Sequence, residues 1–434
     1  MSEGLILNVT LLGLGMHPAA WRYGERRGDA YLDLDYYREI AQVAEQGKLH
    51  ALFLADTLVA SEEAYQRPNL GAMDPLNVLS ALAAITRQIG LVATASTTYN
   101  EPFNLARRFM TLDHLSKGRA GWNVVTTFVP AAAANFGTDA LPSGEARYRR
   151  AEEFTDVVQA LWQSWQPDAI LDDKAQGRFT DPAKIHDINH RGAHFSVQGP
   201  LTLPPSRQGQ PVLFQAGSSE SGLRLAARQA DVVFTAQNTL AGAQAFRANL
   251  HQRLPAFGRT PGQLKVLPGL MPIIGATEAE ARKRKATLDR LGGDSELKKL
   301  ALRLGVNVAD LPLDQPVPAE LIRSNSHFRG AEGFRDAALR LAESEKLSVR
   351  ELLYHNGGGH LQVIGTPVQI ADRIEQWYRT GAADGFNLMI DALPDGLHRF
   401  VGSVVPLLQQ RGLFQHQYAG QTLRENLGLG VHND

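Results

Sequence analysis

The sequence predicts an α/β protein whose strands close into a (β/α)8 barrel with two insertions. Eight short apolar segments alternate with segments of helical period, a pattern typical of a parallel sheet. Eight such units are the number at which a parallel sheet closes into a barrel. The chain has 434 residues, 44% of them hydrophobic, and barrels of this kind accept insertions that make a single domain this long.

The first half of the chain supplies four strands, each predicted from a nearly continuous apolar run of the kind buried on both faces. They cover residues 5–12, 51–55, 89–95 and 120–125. Helices are predicted at residues 36–46, 76–87, 102–115 and 147–165 from apolar positions at helical spacing. The polar segment 167–210 has no clear period, and we interpret it as an insertion after the fourth strand.

The second half repeats the alternation. Strands are predicted at residues 212–215, 231–235, 265–275 and 385–390. Helices are predicted at residues 222–229, 240–254, 277–291, 368–380 and 397–411, followed by a polar tail. Segment 292–364 combines short helical pieces with many prolines, glycines and charges, so we expect an insertion after the seventh strand that acts as a lid. A doubly wound open sheet with a second domain is the alternative, but no G-x-G-x-x-G follows the first strand.

Composition excludes several classes of function. The net charge is −1, which gives no reason to expect nucleic acid or an anionic membrane as a partner. The absence of cysteine excludes disulfides and thiolate chemistry and fits a reducing compartment. The N-terminus lacks the basic region of a signal peptide, and no apolar run approaches the ~20 residues of a membrane span. We therefore expect a cytoplasmic enzyme.

Polar side chains gather at the C-terminal ends of the predicted strands, where barrel active sites are built. Asp56 follows the second strand, Thr97 and Thr98 follow the third, and Asn123 and Thr126 belong to the end of the fourth. This ring of hydrogen-bonding groups with one carboxylate is better suited to holding a polar cofactor than to hydrolysis. Asp56 could instead cap the next segment, whereas a buried asparagine such as Asn123 needs a partner.

A strand-to-helix turn predicts a phosphate site. Gly217, Ser218 and Ser219 lie at this turn, where free backbone N–H groups and hydroxyls favour an anion. Arg147 and Tyr148 begin another helix and could add a cation and a phenol. The alternative for Ser218 is a helix N-cap without any ligand.

Two further motifs are weaker. His186, His190 and His194 have the spacing of a metal-binding helix face, but Gly192 indicates a turn there, which favours structural histidines. The stretch 357–360, three glycines and a histidine, could be a lid hinge or a loop near a ligand, and is a poor phosphate cradle because no Lys-Ser/Thr follows.

Together these motifs resemble the bacterial luciferase-like superfamily of flavin-dependent monooxygenases, and within it the nitrilotriacetate and dibenzothiophene-sulfone monooxygenase branch. The match runs in order along nearly the whole chain. Its motifs are His17-Pro18-Ala19-Ala20-Trp21-Arg22, Phe53-Leu54-Ala55-Asp56, Ser96-Thr97-Thr98-Tyr99, Leu112-Asp113-His114-Leu115-Ser116, Gly118-Arg119-Ala120-Gly121-Trp122-Asn123, Arg147-Tyr148, Ala151-Glu152-Glu153-Phe154, Asn189-His190-Arg191-Gly192, Gln215-Ala216-Gly217-Ser218-Ser219, Asp384-Gly385-Phe386-Asn387-Leu388 and Thr422-Leu423-Arg424-Glu425.

The resemblance implies a TIM barrel that binds reduced FMN supplied by a separate NAD(P)H:flavin reductase. With O₂ it would form a flavin 4a-(hydro)peroxide and place one oxygen atom on a sulfur, nitrogen or carbon centre of a small organic substrate. We also expect a homo-oligomer, either a dimer or a tetramer. The alternatives are a flavin-binding relative without catalysis, a metal-dependent barrel hydrolase that uses the three histidines, and a deazaflavin-dependent relative.

The resemblance also implies roles for single residues. Asp56, Thr97 or Thr98, Asn123 and Thr126 would face the flavin, and Arg147, Tyr148, Gly217, Ser218 and Ser219 would hold its phosphate end. Trp21, Tyr99 and Asn100 would contact the substrate, His17 would manage protons, and Asn123 would also act in catalysis; no metal is expected. One departure is a histidine that the family often has shortly before its Arg-Tyr pair: the stretch 142–147 has none, and Ser143 is a candidate replacement.

Overall fold

The computed structural model describes residues 4–60, 73–326, 328, 330 and 332–430, and its centre is a ring of parallel strands. In chain order the strands are β1 Ile6–Leu11, β2 Ala51–Leu54, β3 Gly90–Ser96, β4 Ala120–Val125, β5 Ile170–Asp173, β6 Arg178–Thr180, β7 His190–Arg191, β8 Ser196–Val197, β9 Val212–Gln215, β10 Val232–Thr235, β11 Lys265–Ile274, β12 Asn356–Gly357, β13 His360–Gly365 and β14 Gly385–Leu388. The ring runs β1-β2-β3-β4-β9-β10-β11-β14 and closes through the pairing of β14 with β1. The predicted barrel of eight strands is thereby confirmed.

Most helices surround the ring, and several of them begin at side-chain caps that the sequence supplies. They are α1 Leu34–Gln46, α2 Pro75–Ala83, α3 Pro102–Leu115, α4 Ala132–Asn135, α5 Gly144–Trp162, α6 Glu220–Gln229, α7 Leu240–Arg253, α8 Glu278–Gly292, α9 Ser295–Leu304, α10 Ala319–Ser324, α11 Glu332–Ser344, α12 Val349–His355, α13 Pro367–Arg379, α14 Asp395–Arg399, α15 Val405–Gln410 and α16 Leu423–Asn426. Thr277 caps α8, and its side chain accepts a hydrogen bond from the N–H of Glu280. None of the described helices is long and apolar enough to cross a membrane.

The lower half of the barrel interior is filled by apolar side chains, including Phe53 and Phe214, and is closed from below by the C-terminal segment. Leu423, Leu427 and Leu429 pack into this interior cluster. The prediction of a merely polar tail is therefore wrong, because the leucine that begins α16 and the two leucines that follow the helix all point into the barrel. Filling the lower half leaves the upper end, where the strands terminate, as the place for a site.

Polar contacts attach this C-terminal segment, residues 422–429, to the barrel, and we refer to the segment as the C-terminal plug. The guanidinium of Arg424 makes two hydrogen bonds to the carboxylate of Asp231, at 3.2 and 2.9 Å, and both side chains are largely buried. Thr422 and Glu425 form a capping box that starts α16, and the N–H of Leu423 donates to the carbonyl of Gly118 at 2.9 Å. The plug therefore depends on contacts between distant parts of the chain.

The two predicted insertions differ in character. The first contains two antiparallel hairpins, β5–β6 and β7–β8. The second contains α9 to α12 around an apolar cluster of its own, which includes Leu304 and Leu352. It then ends in β13, which pairs in parallel with the upper half of β11. The sequence does not predict β13, because His360 and Gln362 interrupt its apolar pattern.

Candidate active site

Hydroxyl groups cluster where β3 and β4 end at the mouth of the barrel. This cluster, the hydroxyl corner, consists of Ser96, Thr97, Thr98 and Thr127. The side-chain oxygens of Ser96 and Thr127 lie 2.7 Å apart. The N–H of Thr98 donates to Ser96 Oγ at 3.0 Å, and Thr98 Oγ1 accepts from the N–H of Thr127 at 3.3 Å. Thr97 instead donates its hydroxyl to the carbonyl of Val125 at 3.2 Å. Thr98 therefore keeps its O–H as a donor for a ligand, while Thr97 reinforces the corner.

Buried amides project into the barrel below this corner. Asn123 Nδ2 donates to Thr94 Oγ1, and Asn8 Nδ2 donates to Asn387 Oδ1, each at 2.9 Å. Within the described part of the chain, Asn123 Oδ1 and Asn387 Nδ2 have no hydrogen-bond partner, although buried polar atoms nearly always have one. A polar ligand that enters the mouth would supply the missing partner. The residues present therefore fit a polar cofactor at this depth.

Asp56 follows β2 and places a partly buried carboxylate at the same mouth. Burial raises the pKa of Asp56 to about 6, the charge of Asp74 adds to this, and Arg108 opposes it. Above pH 6 the ionised carboxylate accepts hydrogen bonds, so it suits an N–H group of a ligand. Residues 61–72, further along the same loop, lie outside the described residues.

Replacing Asp56 by asparagine is expected to stabilise the ligand-free protein at alkaline pH. Because the pKa of Asp56 is raised to about 6 in the folded state, the carboxyl contributes its full stability below the unfolded pKa of about 3.9 and loses it as the pH rises through 6. The variant should gain about 1 kcal/mol near pH 8, after allowance for partial exposure, and nothing near pH 4. Denaturant unfolding at both pH values measures this.

The matched control is Asp139→Asn at an exposed carboxylate, which should change stability little at either pH. Equal stability of wild type and Asp56→Asn near pH 8 would show that the carboxylate of Asp56 is well solvated.

The turn between β9 and α6 forms a cradle around Gly217. A Cβ atom at Gly217 would lie 2.3 Å from Gln215 Nε2 and 2.5 Å from Tyr148 Oη, and one at Gly222 would lie 2.9 Å from the same hydroxyl. A Cβ atom at Gly222 would also lie 2.9 Å from the backbone of Gly217, so Gly222 needs to be glycine, whereas a side chain at Gly217 would displace the ends of Gln215 and Tyr148. Ser219 caps α6 by accepting a hydrogen bond from the N–H of Gly222 at 3.2 Å. A helix N-terminus beside a phenol hydroxyl has the chemistry of a phosphate site.

Ser218 lies beside this cradle, and its alternative interpretation as the helix cap is wrong because Ser219 is the cap. Its hydroxyl faces the second insertion: a Cβ atom at Gly333 would lie 1.8 Å from Ser218 Oγ. The start of α11 therefore lies directly over the turn that carries Ser218.

Arg147 adds a cation next to the cradle. Its Nη1 donates to the carbonyl of Pro142, and its buried Nε has no partner within the described residues. Burial lowers the pKa of Arg147, while Tyr148 and Tyr99 oppose the shift. No ion pair with a carboxylate is found for it among the described residues, so its charge is available to an anion. Ser143, in the stretch that lacks the expected histidine, caps α5.

The predicted substrate residues occupy two places. Tyr99 stacks on Phe136, with ring centroids 4.2 Å apart and an interplanar angle of 7°, and Asn100 Nδ2 donates to the carbonyl of Ser96 at 2.8 Å. Both therefore adjoin the hydroxyl corner, as does Thr126, which is half-buried directly after β4. Trp21 lies in the first loop, where a Cβ atom at Gly28 would be 3.2 Å from its ring.

His17 is buried in the first loop, and both ring nitrogens have partners. Nδ1 accepts from the N–H of Ala19 at 3.1 Å, and Nε2 lies 3.1 Å from Asp289 Oδ1. Since Nδ1 is an acceptor, the proton sits on Nε2 and is donated to Asp289. In this structure His17 joins the first loop to α8, and the ring would have to leave Asp289 to exchange a proton with a substrate.

A model of the luciferase-like monooxygenases matches residues 15–384 of this chain. The chain belongs to the luciferase-like monooxygenase family. It is 45% identical to N-acetyl-S-(2-succino)cysteine monooxygenase from Bacillus subtilis (strain 168), over 98% of this chain and 96% of that protein. It is 44% identical to nitrilotriacetate monooxygenase component A from Aminobacter aminovorans, over 99% of this chain and 96% of that protein.

A solved riboflavin lyase with modified FMN and riboflavin is similar in structure, with a TM-score of 0.86, 32% identity and coverage of 98% of this chain and 96% of the other. The predictions of the family, the barrel and an oxidoreductase of the monooxygenase type are therefore confirmed for this luciferase-like monooxygenase.

Several of the motifs that carry the family resemblance stabilise the fold of this monooxygenase and do not line the mouth of the barrel. Arg119 is buried and donates to backbone carbonyls at the end of α2, including Ala83 and Thr86. Asp113 is buried and accepts from the N–H of Ala120 and from Gln208 Nε2, at 2.9 and 2.7 Å. These residues hold β4 in place, so they position Asn123 indirectly.

The three histidines of the first insertion also have structural contacts. His190 Nε2 lies 3.0 Å from Glu153 Oε1, and the N–H of His194 donates to the same carboxylate. A Cβ atom at Gly192 would lie 2.1 Å from Glu153 Oε1, which explains the glycine. Across the described ranges, no group of three or more potential metal ligands comes together.

Sequence reasoning missed one part of the site of this luciferase-like monooxygenase. His360, at the start of β13, is buried in the mouth and stacks on Phe234, with ring centroids 5.3 Å apart. Arg303 of α9 lies close by, because a Cβ atom at Gly359 would be 3.1 Å from its Nε. The Gly-Gly-Gly-His stretch is the sequence signal for this part of the site, but three glycines fit a hinge as well as a loop near a ligand.

Proposed function

We propose that this protein is an FMN-dependent two-component monooxygenase. It would bind FMN that a separate NAD(P)H:flavin reductase has reduced, and use O₂ to oxygenate a small organic substrate. The observation that carries the proposal is the cradle around Gly217, where the N-terminus of α6 meets the Tyr148 hydroxyl. Arg147, for which no ion pair is found among the described residues, precedes Tyr148 on α5. The buried amide of Asn123, whose Oδ1 has no partner among the described residues, provides a second polar contact deeper in the barrel.

Two sets of residues would hold the cofactor. Gly217, Ser218, Ser219, Tyr148 and Arg147 would bind the phosphate, which makes charge-assisted hydrogen bonds with such groups.

Asp56, Thr98 and Asn123 would bind the ring and the ribityl chain of the flavin. Thr97 and Thr126 would form part of the wall of the flavin pocket. Reduced flavin supplies the electrons and activates O₂, and the protein orients it and excludes water.

The second insertion, residues 292–364, would act as the lid. Gly333 at the start of α11 abuts Ser218, and Gly359 abuts Phe334 of the same helix. Both the phosphate turn and the mouth thus lie under one helix of the insertion. A lid so placed would keep water away from the reacting flavin.

The relatives support the partner and the kind of substrate. One of them is named as a component A, and the compounds in both names are small organic acids that contain sulfur or nitrogen. We propose a reductase as the second component and a sulfur, nitrogen or carbon centre as the site of oxygenation. A homo-oligomer, dimer or tetramer, and a location in the cytoplasm, where NAD(P)H is available, complete the proposal.

The proposal predicts that substrate-dependent O₂ consumption requires FMN, NAD(P)H and a flavin reductase together. An oxygen electrode measures this with purified protein against a panel of small sulfur and nitrogen compounds, and omission of the reductase is the control. Titration with reduced FMN should show binding in the micromolar range. A protein that fails to bind reduced FMN at these concentrations would exclude the proposed function.

A further inference from the structure

The end of the second insertion lies inside the mouth of the barrel. His360 stacks on Phe234 with an interplanar angle of 22°, and Phe234 in turn contacts Phe53 of the barrel interior, with ring centroids 5.7 Å apart. Gly358 and Gly359 have φ of +61° and +96°, values that L side chains rarely adopt. The glycines thereby let the backbone pass closely between the first loop and α11.

Arg303 is the cation that this arrangement brings to the mouth. Its Nη1 donates to Asn356 Oδ1 at 2.9 Å, and its Nε lies against Gly359. Burial lowers the pKa of Arg303, and Glu296 on the same helix opposes the shift. Across the described ranges Arg303 forms no ion pair, and Glu296 does not come within pairing distance of it.

Two other arginines of the insertion have carboxylate partners. Arg323 pairs with Glu343 and Arg350 pairs with Asp314, all of them exposed side chains. A half-buried guanidinium without a carboxylate is unusual, because burying a charge is costly unless a counter-charge or several hydrogen bonds compensate. Arg303 therefore has the properties of a cationic group that is available to bind an anion.

The surroundings of Arg303 are polar and incompletely paired. Asn356 Nδ2, His360 Nδ1 and Gln362 Oε1 are buried and have no hydrogen-bond partner within the described residues. Burial, together with the charge of Arg303, lowers the pKa of His360 to about 3, so the imidazole is neutral at physiological pH. One fixed cation accompanied by neutral hydrogen-bonding groups matches a single anionic group.

We infer that Arg303 binds a carboxylate of the substrate, so that the substrates of this protein are small organic acids. The inference rests on the proposed function, which assigns the cofactor phosphate to the cradle of Gly217 and Arg147. The contacts of Arg303 found among the described residues are with Asn356 and Gly359, beside His360, and none is with a residue of that cradle, which leaves Arg303 for the other ligand. Its planar fork matches the two oxygens of a carboxylate, which a lysine ammonium does not.

The test compares an acid with its uncharged ester. Nitrilotriacetate and its trimethyl ester share one skeleton and differ in charge, and succinate with dimethyl succinate forms a second pair. Calorimetric titration of wild type, with and without FMN, should show tighter binding of the acid in at least one pair. Arg303→Met should reduce this preference by about 10- to 100-fold, and Arg303→Lys should retain part of it.

Arg350→Met is the matched control, since Arg350 lies on the same insertion in an exposed pair, and it should keep the preference. Wild type without preference for either acid would overturn the inference. So would an Arg303→Met variant that loses FMN affinity, because Arg303 would then serve the cofactor. Failure of wild type to bind FMN refutes the proposed function instead, and the titrations without FMN still decide the role of Arg303. If Arg303→Met does not fold, Arg303→Lys must lower the preference.

Discussion

Replacing Gly217 by alanine is expected to abolish the preference of this protein for FMN over riboflavin, which lacks the phosphate. The added methyl group would lie 2.5 Å from Tyr148 Oη and 2.3 Å from Gln215 Nε2, so the cradle would have to open. Charge-assisted hydrogen bonds contribute about 1.5–3 kcal/mol each. Loss of about 3 kcal/mol would weaken FMN binding ~100-fold and leave riboflavin binding nearly unchanged.

Flavin fluorescence quenching measures both dissociation constants, and retained riboflavin binding shows that the variant is folded. Gly262→Ala is the matched control, because a Cβ atom there would meet no atom within 4 Å. Tyr148→Phe removes only the hydroxyl and should lower the preference by ~10-fold. A Gly217→Ala protein that discriminates FMN from riboflavin as well as wild type would place the phosphate elsewhere.

Replacing Asp231 by alanine is expected to lower the free energy of unfolding by about 3–5 kcal/mol. The change leaves the buried guanidinium of Arg424 without its carboxylate and the N–H of Leu213 without its acceptor, which now lies at 2.9 Å. The C-terminal plug would lose its attachment and expose the lower interior of the barrel. Chemical denaturation followed by circular dichroism measures the loss.

The double variant Asp231→Ala/Arg424→Met should recover part of the loss, because an apolar pair avoids the isolated buried charge. Asp314→Ala, which breaks an exposed pair with Arg350, should change the stability little. A small effect of Asp231→Ala, equal to that of Asp314→Ala, would mean that water reaches Arg424 and that the plug is loosely held.

The parts of the site that sequence reasoning located depend on local chemistry. Gly217 and Ser219 stand at a strand-to-helix turn, and a turn of this kind requires the same residue types wherever it occurs in a fold. Thr98 and Asn123 follow or end apolar runs, and parallel strands bring such positions to one edge. Ser218 was harder to assign, since the choice of cap between two adjacent serines depends on a backbone angle that the sequence does not show.

The parts of the structure that sequence reasoning missed depend on contacts between residues that are far apart in the chain. Asp231 and Arg424 are separated by 193 positions, and nothing near either residue indicates the other. The same holds for Arg303: only the folded insertion brings it to Gly359 and, among the described residues, leaves it without a carboxylate partner. The sequence context of Arg303 favours a solvated side chain, because charged residues on helices usually face water.

The sequence by itself determined the alternation of strands and helices, the closed barrel, the turn at Gly217 and the polar ends of β2, β3 and β4, because each follows from periodicity or turn chemistry within a few residues. The tertiary structure decided which residues share an environment: His360 on Phe234, Arg303 over the mouth, and α16 under the barrel. These contacts depend on how insertions and the C-terminal segment pack against the ring, and packing of that kind leaves no local pattern in a single chain.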